Sequence, residues 1–125
     1  MPQQNMGDFT LYFLAFDHGQ NYQAMSPEER NKERFTREGV LELTHNHGTE
    51  SDPSFAGYAS GNSDPGRGFG HIAITVDNVE ESCARFESLG VKFKKRPQDG
   101  RMRDIAFILD PDGYWIEIVP NKLKL

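Results

Sequence analysis

The feature that most constrains the fold is an internal repeat. Residues 13–17, FLAFD, carry an apolar run into an aspartate, and residues 107–112, FILDPD, do the same. Residues 40–44, VLELT, embed one glutamate among branched apolar residues, as do residues 115–119, WIEIV. Each half of the chain thus reads as a strand ending in Asp, a turn, and a strand with a central Glu. Short apolar strands also match by chance, so the repeat gains weight only with what surrounds it.

The second half carries more ahead of that pair. His71 to Val76 has the composition of a strand. Asp77 and Glu80 form a capping-box pattern that predicts a helix over 78–89. Val79, Cys83, Phe86 and Leu89 then make one apolar stripe, and Gly90 ends the helix. Val91 to Phe93, Asp104 to Leu109 and Tyr114 to Val119 complete a βαβββ pattern, with the turn DPDG before the last strand. The first half begins at the third strand of that pattern, with Phe9 to Phe16 nearly all apolar and so expected to be covered on both faces. The turn-like HGQN follows, then Ser26-Pro27 with Glu29 as a second capping box. That box opens a short surface helix, EERNKERF, over 28–35, before the strand at 40–44.

The expected class is α+β, two paired βαβββ modules of which the first is incomplete. Residues 1–46 form the incomplete module, 47–68 a connecting loop rich in Gly, Ser and Asp, and 69–125 the complete module, with NKLKL at its end expected to fray. A loop of that length in a small domain usually carries function.

Net charge is −5 and the basic residues form no sustained stripe, which argues against nucleic acid as the partner. No apolar run reaches membrane-spanning length, and MPQQNMGDF has no signal-peptide core. With Cys83 the only cysteine, a reducing, cytoplasmic setting is the expectation.

Strand alternation puts Glu42 on one face with Val40 and Thr44, and Glu117 with Trp115 and Val119. His71 shares a face with Ala73 and Thr75. A carboxylate among apolar strand residues is costly unless it is paired or binds a metal. Glu42, His71 and Glu117 are a donor set that a borderline divalent ion such as Zn²⁺ accepts. Edge glutamates facing solvent and a hydrogen-bonded strand histidine account for the same residues. His45 and His47, at a strand end, are expected to be solvated or turn-forming rather than ligands. Lys94, Lys95, Arg96, Arg101 and Arg103, with Arg67, oppose the acidic chain and could hold a small anion, or be solvated surface. GRGFG at 66–70 lacks the preceding strand and following helix of a phosphate loop.

LELTHNHGTE (41–50), GNSDPGRGFGHIAI (61–74), FESLGVKFKKRPQDGRM (86–102) and AFILDPDGYWIEI (106–118) together resemble glyoxalase I, a vicinal-oxygen-chelate family. FTLYFLAF (9–16) is similar to the family's strand before its variable helix. The resemblance implies the paired-module fold and conversion of the glutathione–methylglyoxal hemithioacetal to S-lactoylglutathione. It implies that Glu42, His71 and Glu117 are three of four ligands to a divalent metal, Zn²⁺ or Ni²⁺. Glu117 matches the carboxylate that moves the substrate proton, and Glu42 the one across the metal. Asn46, Arg67, Lys95 and Arg101 match positions that hold the glutathione carboxylates, the family often having Lys at the last. Phe9, Leu11, Phe13 and Met102 match the apolar pocket at the thioester end. A homodimer is implied as well.

The resemblance also implies a departure. The family's remaining ligand is a Gln on the opening strand of the first module, followed by an Arg that helps hold glutathione. No segment here matches that strand, and Gln3 and Gln4 precede a different one. A missing strand exposes an edge. The alternatives are a non-catalytic relative that binds glutathione conjugates or dimerises, and another vicinal-oxygen-chelate enzyme such as an extradiol dioxygenase or epimerase. Glu42 speaks against the last.

Overall fold

The computed structural model describes residues 3–19 and 21–122. Gln20 of the expected turn and 123–125 of the expected frayed tail lie outside that set. The chain forms two compact units, one ending at Phe55 and one starting at Ala56.

The first unit is a three-stranded antiparallel sheet in the order β1-β2-β3, from β1 (Gln3–Asn5), β2 (Phe9–Leu14) and β3 (Leu41–Asn46). Between β2 and β3 lie a 3-10 turn (Tyr22–Ala24), α1 (Pro27–Glu33) and a second 3-10 turn (Arg34–Thr36). The capping box of α1 forms as expected: the Glu29 N–H donates to Ser26 Oγ at 3.3 Å, and the Ser26 N–H donates to Glu29 Oε2 at 2.8 Å. These bonds, the Ser26 backbone one first, hold the Glu29 carboxyl below its usual range. No residue of α1 is buried, so packing does not extend it, and Arg34 to Thr36 tighten into the 3-10 turn. β2 also stops short of its expected end: Phe16 is 75% exposed, its ring against His18, so covering on both faces does not extend to it. β1 is an element that no apolar alternation announced.

The second unit contains β4 (His71–Val76), α2 (Val79–Ser88), β5 (Phe93–Lys95), β6 (Ala106–Leu109) and β7 (Trp115–Pro120). Their sheet order is β4-β7-β6-β5, with β4 parallel to β7 and the other pairs antiparallel. The chain order is βαβββ, with β5 at Phe93–Lys95 where the sequence pattern put a strand at Val91–Phe93. Val79 and Cys83 of α2 pack on Ala106, Ile108 and Ile118, with Phe86 and Phe93 at the rim. Burial pushes the Cys83 thiol's pKa up, as it does for any acid taken from water. The helix cap is Asn78, whose side chain accepts from the Glu81 N–H; Asp77 instead accepts from Asn121 Nδ2 at 3.0 Å. Leu89 falls past the last helical turn and is 64% exposed, so it leaves the apolar stripe. Gly90 turns the chain away at φ +74°, which glycine adopts without strain.

The two units share a register. Phe13 faces Glu42 across β2 and β3, and Phe107 faces Glu117 across β6 and β7. β1 flanks β2 as β5 flanks β6. Among the described residues, β3 has no second neighbour, whereas β7 has β4. Leu43 is 46% exposed, while Ile118, one residue past the matching glutamate, is fully buried.

Candidate functional site

In the second unit, parallel pairing aligns His71 with Trp115 and Ala73 with Glu117, so His71 and Glu117 share a face. His71 Nε2–H donates to Glu117 Oε2 at 3.1 Å. The side chains are 37% and 19% exposed. Phe107 meets the His71 ring edge to face at 5.0 Å and the Trp115 ring at 5.7 Å, which gives the pair an aromatic floor. An imidazole nitrogen and a carboxylate oxygen, half open to solvent, fit a borderline divalent cation that needs further ligands. Among the described residues, neither unit alone brings three His, Cys, Asp or Glu side chains together as such a shell.

In the first unit, Phe9, Leu11, Phe13, Glu42 and Asn46 fall on one face by register. Glu42 and Asn46 are exposed, and Phe9 and Leu11 half-buried. Phe13 is buried: the Arg34 guanidinium lies 4.2 Å from its ring centroid, and Phe35 meets it edge to face at 5.8 Å. A cavity of about 280 Å³ opens beside it, lined by Tyr22, Arg34, Arg37 and Val40 among others. Arg34 and Arg37 carried no motif; their place shows only once they stack on Phe13 and Tyr22. The other histidines pin local structure. His45 Nε2–H donates to Glu50 at 2.9 Å, the main cause of the lowered Glu50 pKa. His47 Nδ1–H donates to the Gly7 carbonyl at 2.9 Å, and its Nε2 accepts from Thr10 Oγ1 at 2.7 Å.

The candidate anion-binding residues are in different states. Arg67 is exposed and forks onto Asp64 at 2.7 and 3.1 Å, holding that carboxyl below its usual range. Its loop folds on itself: the Gly68 N–H donates to the Gly61 carbonyl at 3.0 Å, and Asn62 Nδ2 donates to the Gly70 carbonyl at 2.6 Å. Gly61 is required there, because a Cβ would collide with the Phe69 carbonyl. Gly61→Ala is therefore expected to spring the loop, with amide exchange at Gly68 faster by about tenfold, the worth of one hydrogen bond. Unchanged exchange would show that the loop has slack. Lys95 donates to three backbone carbonyls, those of Arg96 (3.2 Å), Met102 (2.6 Å) and Ile105 (2.9 Å). Arg101 is exposed and Met102 is 49% exposed.

The family model of the Glyoxalase/Bleomycin resistance protein/Dioxygenase superfamily matches residues 14–118. The lactoylglutathione lyase of Schizosaccharomyces pombe is 54% identical over 114 residues, which are 90% of this chain and 35% of that protein. The lactoylglutathione lyase of Pseudomonas putida is 53% identical over 111 residues, 89% of this chain and 62% of that protein. The chain thus spans between about a third and two thirds of these relatives. Among solved structures, the trypanothione-dependent glyoxalase I of Leishmania major superposes with a TM-score of 0.57 at 28% identity, covering 92% of this chain and 61% of that one.

Proposed function

Because this chain belongs to the Glyoxalase/Bleomycin resistance protein/Dioxygenase superfamily, we propose that it isomerises the glutathione–methylglyoxal hemithioacetal to S-lactoylglutathione. The observation that carries this reading is the His71–Glu117 pair on a strand register that Glu42 repeats in the other unit. In this reading Glu42, His71 and Glu117 hold a divalent metal, Zn²⁺ or Ni²⁺. When bound, the metal supplies a Lewis acid where negative charge develops on the substrate's oxygens.

Glu117 takes the proton from the carbon bonded to sulfur, giving an enediolate, and returns it to the neighbouring carbon. The Phe107 ring packs edge to face on His71 and keeps the imidazole beside that carboxylate. Arg67, Arg101, Lys95 and Asn46 take the anionic ends of glutathione, by charge-assisted bonds from the three cations. Phe9, Leu11, Phe13 and Met102 pack against the thioester end. A homodimer in the cytoplasm, acting in methylglyoxal detoxification, belongs to the same reading. Among the described residues one edge of β3 is unpaired, which favours one second reading, a non-catalytic relative that dimerises or binds glutathione conjugates.

The test is thioester formation by the zinc-loaded chain from methylglyoxal and glutathione, with native mass spectra of the same sample. Catalytic thioester growth from a dimer holding stoichiometric metal is the expected result. A metal-free monomer forming no thioester above buffer would overturn it and leave the second reading.

A further inference from the structure

An ammonium has three protons, and in Lys95 all three are committed. They converge on carbonyls at both ends of the 96–105 loop, the segment that carries Arg101 and Met102. The lysine stem runs beside Gly100, whose backbone is at φ +73°. The three bonds are unequal. Those to Met102 and Ile105 are short, at 2.6 and 2.9 Å, and tie the far end of the loop to β5. The bond to Arg96 is the longest, at 3.2 Å, and the Arg96 carbonyl also accepts the Asp99 N–H at 3.0 Å. That carbonyl keeps a second donor inside the loop, the Asp99 N–H, if the ammonium lets it go.

We propose that Lys95 divides its ammonium between two tasks: two protons clamp the loop, and the third, resting on the Arg96 carbonyl, passes to a ligand carboxylate. A carboxylate is the stronger acceptor, so the exchange is downhill while the clamp stays closed. Lys95 is then a positioning residue for Arg101 and Met102 as well as a contact for the ligand. The ligand half rests on the glutathione reading above; the clamp does not.

The experiment measures tryptic cleavage after Arg101 and Arg103 by mass spectrometry, together with binding of S-methylglutathione, on the full chain. Lys95→Met is expected to speed cleavage about tenfold or more, since hydrogen bonds to a charged group are lost, and to weaken S-methylglutathione binding. Lys95→Arg separates the tasks. Its planar fork keeps the charge but does not converge on three carbonyls, so it should cleave as fast as the Met variant yet weaken S-methylglutathione binding less than that variant does. In the wild type, S-methylglutathione should leave cleavage as slow as before, or slow it further. Cleavage unchanged in both variants would overturn the clamp. Ligand-accelerated cleavage of the wild type would overturn the division of protons, and this arm stands even if a variant fails to fold. A wild type that cleaves slowly but binds no S-methylglutathione would overturn the glutathione reading and the third proton's role, leaving the clamp.

Discussion

On the proposed reading, Glu117→Gln is expected to lower turnover of the zinc-loaded chain by about 10³-fold, the scale on which a positioned general base contributes. The side chains are isosteric, and the amide keeps one oxygen where the carboxylate had two. What the amide cannot do is take a proton. Glu117 lies on β7, beside the buried Ile118, so the strand holds the substitution in place. The measurement is the rate of thioester formation, normalised to metal content from native mass spectra. Turnover within threefold of wild type at equal metal content would move the proton-transfer role to another residue. Lost metal with lost turnover would mark Glu117 as a ligand without isolating its role as base.

The second large effect lies in the core. Ile118→Ala should destabilise the second unit by about 3 kcal/mol, because it opens a cavity against Val79, Cys83, Ala106 and Ile108. Leu43→Ala removes a similar volume at the corresponding place in the first unit and should cost under about 1 kcal/mol, since Leu43 is 46% exposed. The two units need not unfold together, so the probes must separate them. Trp115, the one tryptophan, reports the second unit, and far-ultraviolet circular dichroism reports both. Equal losses would show that something covers Leu43 in solution.

How much of this was legible in the sequence depends on the range of the interaction. The Ser26–Glu29 box was readable because its four groups sit on two residues only three apart. At α2 two cap-forming residues stand side by side, and Asn121, distant in sequence, occupies Asp77 and leaves the cap to Asn78. β1 has no hydrophobic period; it exists because β2 has an edge to pair with. The repeat was legible, and its register places Phe13 opposite Glu42 as Phe107 stands opposite Glu117. For the site, His71 and Glu117 were readable as sharing a chemistry, and the parallel pairing of β4 and β7 puts them 3.1 Å apart. The covering of Phe13 by Arg34 and the spending of the Lys95 protons were not readable, because each depends on where a loop returns.

The parallel pairing of β4 with β7 has a kinetic consequence. β6 and β7 are joined by a tight turn at Asp110 and Gly113, so they meet early and at small loop-closure entropy. β4 reaches β7 only after α2, β5 and β6 have been threaded between them, a pairing of high contact order. During refolding the strand bearing His71 is therefore favoured to arrive last. The imidazole and the carboxylate stay apart until the rest of the sheet exists.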